Sequence, residues 1–129
     1  MKQIEIDKII SYLQDTIAIS AIVWDRIYFW KPISDIINWI YITINILGEQ
    51  QAFLNKGTLL ELRFIAHDTN IKFSELLALR KVVSEEIISN KNLDWFYTYN
   101  CYEEGWFKNW YDEKNRKVVI QDYRFYFVK

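Results

Sequence analysis

Between Trp39 and Leu47 the residues Ile40, Ile42, Ile44 and Ile46 alternate with Tyr41, Thr43 and Asn45, a strict period of two that predicts a strand with one apolar face. The segment Thr58 to His67 alternates in the same way, Leu60, Leu62, Phe64 and Ala66 opposing Leu59, Glu61, Arg63 and Ile65. Gly48-Glu49-Gln50-Gln51 and a loop to Lys56-Gly57 separate the two runs, so they are expected to pair as an antiparallel hairpin with a long connection. A sheet with one apolar face needs a layer of other elements to cover it.

Two segments can supply that layer. Ile6, Ile9, Ile10, Leu13 and Ile17 follow the spacing that lays one stripe along a helix. The pattern weakens at Asp15-Thr16, and the apolar run Ile17 to Val23 is expected to lead into a short strand, Trp24 to Tyr28, ended by Lys31-Pro32. Further on, Asp68-Thr69-Asn70 offers N-cap side chains to a second helix whose stripe is Phe73, Leu76, Leu77, Val83 and Ile87, with Leu79 and Val82 beside it. Arg80 falls within that stripe, where its alkyl stem can lie along the apolar face while the guanidinium reaches water. This helix is expected to end near Ser89-Asn90, and Leu93 to Tyr102 and Val118 to Val128 read as strands. The sum is an α+β fold: an antiparallel or mixed sheet of four to five strands with two amphipathic helices packed on one face. With 129 residues, 51% of them hydrophobic, three Gly, one Pro, no repeat and no shift of composition, residues 1–129 are expected to form a single domain.

Charge and motifs exclude more than they suggest. Sixteen basic residues stand against 17 acidic ones, which removes the electrostatic basis for gripping nucleic acid. The one basic cluster, Lys114, Arg116 and Lys117, is interrupted by Asn115 and preceded by Asp112 and Glu113, and reads as a solvated turn. Cys101 is the only cysteine, so no internal disulfide can form, and a small buried residue is its expected role. The N-terminal residues mix acids into their apolar stretch, unlike a signal peptide, and the most apolar run, Ile33 to Leu47, is broken by polar residues and too short to span a bilayer, so no membrane association is expected. His67 is the sole histidine and has no second imidazole or thiolate cluster to complete a metal site. Glu85-Glu86 and Glu103-Glu104 are adjacent pairs whose side chains point apart and read as solvated charge. Gly48, Gly57 and Gly105 are isolated, so no phosphate-binding loop is present. Neither a cofactor, a metal nor an enzymatic activity is expected.

Aromatic residues make up 18% of the chain. Trp106-Phe107-Lys108-Asn109-Trp110-Tyr111 follows Gly105 and precedes the charged turn Asp112 to Lys117, so it is expected in a strand connection at the surface. Two readings stand for Trp106, Phe107, Trp110 and Tyr111: an intermolecular contact, or packing over an open end of the core.

With Asp25-Arg26-Ile27-Tyr28 near its start and Asp122-Tyr123-Arg124-Phe125 near its end, the order of these features resembles the phage tail-completion and tail-terminator family. Asp15, an apolar stretch, Trp24-Asp25-Arg26-Ile27-Tyr28 and Pro32 are similar to its D-P-x-L-x-x-x-V-G-D-R-I-Y-P region; Trp39 to Gly48-Glu49 resembles its P-Y-I-x-Y-x-x-x-G-E strand. Leu60 to His67 followed by Ser74-Glu75-Leu76-Leu77 resembles its strand leading into a helix, and Asp122-Tyr123-Arg124-Phe125 its closing D-Y-R-F strand. Thr16 and Trp24 stand where the family often has Pro and Gly, and Trp95 to Tyr111 is longer and more aromatic than in the usual member. The resemblance implies a structural virion protein, a homo-oligomer, commonly a hexameric ring, that caps the tail tube, stops its polymerisation and joins it to the head connector. Its implied partners are tail tube protein and the head connector or completion protein, with DNA passing through unbound. Its implied place is the head-proximal end of the tail, after assembly in the host cytoplasm. A head-completion or connector protein, or a non-viral binding module with an aromatic pocket, are the alternatives.

Overall fold

The two alternating runs become the antiparallel pair β2 (Tyr41–Gln51) and β3 (Lys56–Ala66) in a computed structural model that describes residues 3–30, 39–51, 56–89, 92–94 and 97–128. Ile42 faces Phe64 and Ile44 faces Leu62, so both apolar faces fall on one side; one extra residue at Leu47 shifts the register before Gly48 meets Leu59. The connection between these strands, residues 52–55, lies outside the described residues.

Around this pair the chain places α1 (Gln3–Asp15), α2 (Ile17–Val23), β1 (Ile27–Phe29), α3 (Phe73–Ser89), β4 (Asn92–Asp94), β5 (Tyr97–Tyr111) and β6 (Lys117–Val128). The sheet order is β1-β2-β3-β6-β5-β4, with β1 parallel to β2 and the remaining pairs antiparallel. The expected α+β architecture is therefore present, with four long strands extended at each edge by a three-residue strand. Ile6, Ile9 and Leu13 of α1, Ile19 and Val23 of α2, and Leu76, Leu79, Val83 and Ile87 of α3 all enter one core with Ile42, Ile44, Leu60, Leu62, Phe64, Val119, Tyr123 and Phe125 of the sheet. The helices thus cover one face. The other face carries a smaller cluster of Tyr41, Ile65, Val118 and Ile120, with Tyr28 at its margin.

The N-terminal region departs from expectation. Thr16 adopts an extended backbone (φ −79°, ψ 113°) that ends the first helix. Its carbonyl then accepts the N–H groups of Ile19 and Ser20 and starts a second helix where the run to Val23 was expected to lead into a strand. Ile19 and Val23, four residues apart, hold that helix to the core, and Ile17, expected on the first stripe, is 82% exposed. The strand expected from Trp24 begins only at Ile27; its expected end at Lys31-Pro32 lies outside the described residues. Leu93 to Tyr102 divides into β4 and β5, which fold back so that Asn92 faces Thr98. The α3 cap also lies later than expected. Lys72 N–H donates to Glu75 Oε2 (3.0 Å), the reciprocal half of a capping box, while Asp68 Oδ1 accepts from Asn70 N–H (2.8 Å) in the preceding turn.

Trp24 ends α2 at φ 56° and ψ −119°, donating its N–H to Ser20 O (2.8 Å). Helices commonly end on a residue of positive φ, and glycine takes it without strain. A side chain there costs about 1–3 kcal/mol, whereas glycine adds about 0.5–1 kcal/mol of unfolded-state entropy. The indole is 71% exposed and contributes little packing. Trp24→Gly is therefore expected to raise stability by about 1 kcal/mol, checked by urea unfolding; a lower midpoint would mean that the indole packs more usefully than its exposure indicates.

Candidate protein interface

The aromatic segment lies in strand β5 rather than in the expected connection, because the turn after it is shorter than the charged run suggests. Asp112 Oδ1 accepts the N–H groups of Lys114 (3.0 Å) and Arg116 (2.8 Å), with Asn115 at φ 59°, so the chain reverses within 112–116. Arg116 then turns inward, its Nε on Asp112 Oδ2 (2.7 Å) and its Nη1 on the Tyr41 hydroxyl (2.6 Å). Burial opposes ionisation of Asp112, but hydrogen bonds from Arg116, its charge and the Lys114 N–H together hold the carboxyl below the usual range. Burial raises the Tyr41 phenol, against the pull of Arg116. Only part of the basic cluster is the solvated turn expected of it: Lys114 is exposed, while Lys117 Nζ reaches Thr69 O at 3.3 Å.

Glu104 faces Asp122 and Lys108 faces Ile120, which leaves two extra residues on β5 between these pairs. Gly105 absorbs the resulting bulge at φ 75°, and Gln121 Nε2 donates to its carbonyl (3.2 Å). Beyond the bulge the segment divides between the two faces of the sheet. Phe107 packs on the core beneath Arg80, whose guanidinium carbon lies 4.6 Å from the ring centroid. Arg80 Nη1 donates to Glu103 Oε1 at 3.0 Å, so the guanidinium expected to reach water instead lies over the sheet, and Glu103, expected as solvated charge, is its partner. Tyr111 sets its ring edgewise on Phe73 (5.3 Å). Trp106, 90% exposed, and Trp110, 40% exposed, line a pocket on the helix-free face. Core packing therefore accounts for Phe107 and leaves Trp106 largely unused by the fold, while Trp110 is more than half covered.

The resemblance positions are divided in the same way. Asp25 is exposed, and its carbonyl accepts from Gln14 Nε2 (3.0 Å). Arg26 bridges two carbonyls, Ile40 O (3.0 Å) and Ile22 O (3.1 Å), tying the end of α2 to the chain entering β2. Ile27 is buried in the main core and Tyr28 meets Tyr41 edgewise at 6.1 Å. Tyr123 and Phe125 are fully buried; the Tyr123 hydroxyl is hydrogen-bonded to Ser84 Oγ, and burial pushes its phenol up. Asp122 and Arg124 lie half-buried on the helix-free face.

There Glu61, Asp122 and Glu104 form a row across three strands. Glu61 is bound by Arg63, and Arg124 Nε lies 3.8 Å from Glu104 Oε2. Asp122 Oδ1 is covered and accepts no hydrogen bond. Burial, then the Glu61 and Glu104 charges, push the Asp122 carboxyl up, against Lys108 and Arg63. Sequence reasoning missed this row because only the register of β3, β6 and β5 assembles it.

The remaining candidates show no convergence. His67 is exposed; Cys101 is half-buried against the core, where burial and then Glu103 push its thiol up; Glu86 Oε2 accepts the Tyr12 hydroxyl at 2.8 Å instead of being only solvated. Among the described residues no group of three or more His, Cys, Asp or Glu is placed to hold a metal ion, and no helix is long and apolar enough to cross a membrane.

No protein-family model matches the sequence, and a search of curated proteins finds no match. Among solved structures, the virion of a native gene transfer agent particle contains a chain similar to this one, with a TM-score of 0.70 at 12% identity, covering 92% of this chain and 90% of that chain. This chain therefore shares the fold of a protein in that virion over nearly its whole length.

Proposed function

We propose that this chain is a structural virion protein, folded as a single domain over residues 1–129, that caps a phage-type tail tube as a ring. In this role it stops polymerisation of the tube and joins the tail to the head connector. The observation that carries the reading is the fold shared with a chain of a gene transfer agent virion over 92% of this sequence. The resemblance of Asp25 to Tyr28 and of Asp122 to Phe125 to the tail-terminator family supports the finer assignment. A cap needs lateral contacts between copies, commonly six, one face matching the tube and another that refuses it; heterologous contacts of this kind close into rings. Trp106 and Trp110 supply exposed aromatic surface suited to such contacts. The formal net charge of −1 suits a ring through which DNA passes unbound. The aromatic segment of β5 offers little room for a small molecule, because the pocket between its two tryptophans holds about 70 Å³, whereas ligand sites span about 300–1,000 Å³; a hollow of about 490 Å³ lined by Trp24, Arg26 and Trp39 is the roomier place for one.

Gold labelling of an epitope-tagged copy in particles purified from the producing cell tests the assignment by electron microscopy. Label confined to the head-proximal end of the tail is expected. Label within the head-side connector would reassign the chain to head completion, and label absent from every particle would overturn the virion reading. The double substitution Trp106→Ser, Trp110→Ser should leave a folded chain that no longer enters particles; loss of folding would assign these residues to packing over the core instead, and wild-type incorporation would remove them from the interface.

A further inference from the structure

We propose that the helix-free face of the sheet carries a docking pocket for a cationic side chain, an arginine or lysine presented by a neighbouring protein, with Trp106 and Trp110 as walls and Asp122 and Glu61 as its acidic lining. The pocket is formed by these four residues with Lys108 and Ile120 and holds about 70 Å³, the scale of a side-chain head group. Indole faces attract cations, and a planar guanidinium can stack on an indole while its N–H groups meet a carboxylate. The fold leaves the Trp106 indole available. Trp106 is 90% exposed, and Phe107, not Trp106, fills the core beside it.

Charge complementarity identifies the occupant. Register sets Asp122 between Glu61 and Glu104, and like charges directly opposite one another in a sheet repel. Arg63 engages Glu61 and Arg124 lies beside Glu104, so these two cations are directed at the outer carboxylates. Lys108 lines the same pocket, yet Asp122 Oδ1, which is covered, accepts no hydrogen bond from it, so an entering cation acts on this carboxylate through its charge and not through that oxygen. Burial first, and then the Glu61 and Glu104 charges, push the Asp122 carboxyl up against Lys108 and Arg63. A cation entering between the tryptophans relieves repulsion already present, whereas an anion would add to it.

The proposal rests on the reading of Trp106 and Trp110 as a contact surface. Its test uses the purified full chain, titrated with acetyl-Gly-Arg-Gly-amide and followed by tryptophan fluorescence, beside the same peptide carrying citrulline, which keeps the shape and removes the charge. Saturable binding of the arginine peptide is expected, weakened about tenfold or more by citrulline and by Asp122→Asn. Trp106→Ala should weaken it similarly, and because this side chain lies outside the core the variant keeps the test valid if Asp122→Asn alters folding. Lys108→Gln should tighten binding by removing the competing charge. No saturable response, an equal response to citrulline, or binding indifferent to both Asp122→Asn and Trp106→Ala would overturn the pocket. Such a failure leaves the contact-surface reading intact, since that is scored by incorporation into particles.

Discussion

Phe125→Ala is expected to lower the stability of the folded chain by about 3–5 kcal/mol, the cost of truncating a large aromatic in a packed core. Phe125 has no exposed surface and packs in the main core with Phe64, Leu60 and Tyr123. A loss of that size is a large share of the roughly 5–15 kcal/mol that holds a domain of ordinary stability together. Urea unfolding followed by circular dichroism should show it as a large fall in midpoint with little change in slope. Trp106→Ser, on the neighbouring strand, should change stability by only about 0.5 kcal/mol, because its side chain is 90% exposed. The contrast bears on what the family likeness means. In the closing motif, Tyr123 and Phe125 point into the core while Asp122 and Arg124 face away from the helices, so half of the near-literal match reflects folding and half can reflect contact. If Phe125→Ala proved mild and Trp106→Ser severe, this division between core and surface would be wrong.

The legible parts of the fold were those in which one periodicity met one environment. In β2 and β3 the alternation of Ile42 and Ile44, or Leu62 and Phe64, with their neighbours matches a sheet covered by helices on one side only, and the register sets these four residues on that side. In α3, Leu76, Leu79, Val83 and Ile87 match a helix buried along one stripe. Legibility failed where local preference and tertiary packing disagreed. Ile17 to Val23 is rich in β-branched residues and reads as an approach to a strand, yet the core accepts Ile19 and Val23 as neighbouring helical positions. It failed again in β5, whose two faces both mix polar and apolar residues: Cys101, Glu103, Phe107, Asn109 and Tyr111 on one side, Tyr102, Glu104, Trp106, Lys108 and Trp110 on the other. Such a strand has no period-two signal. Glu103 is tolerated toward the helices because Arg80, which falls within the apolar stripe of α3, brings a guanidinium to it. The aromatic surface was visible in the sequence, but the acidic row beside it was not, because Glu61, Glu104 and Asp122 become neighbours only through the order β3-β6-β5.

Arg80→Ala should cost about 2–3 kcal/mol, less than the roughly 3–5 kcal/mol of breaking a fully buried pair, because Glu103 retains 37% of its side-chain exposure against 15% for Arg80. Three groups lose their partner together: Glu103 Oε1 at 3.0 Å, Gln121 Oε1 at 3.5 Å, and the ring of Phe107 beneath the guanidinium. Arg80→Met keeps the stem that covers Phe107 and removes only the charge, so it separates packing from pairing. A double-mutant cycle with Glu103→Gln measures the pair itself, with a coupling of about 0.5–3 kcal/mol expected for groups in direct contact. The effect should reach the surface as well. Gln121, which meets Arg80 through its oxygen, holds the Gly105 carbonyl through its nitrogen, and Gly105 sets the bulge from which Trp106 projects. Arg80→Ala should therefore weaken binding of the arginine peptide although Arg80 lies on the opposite, helix-covered face. Arg80→Met unfolding like wild type, with no coupling to Glu103, would instead assign this position to packing over Phe107 alone and separate the helix from the tryptophan surface.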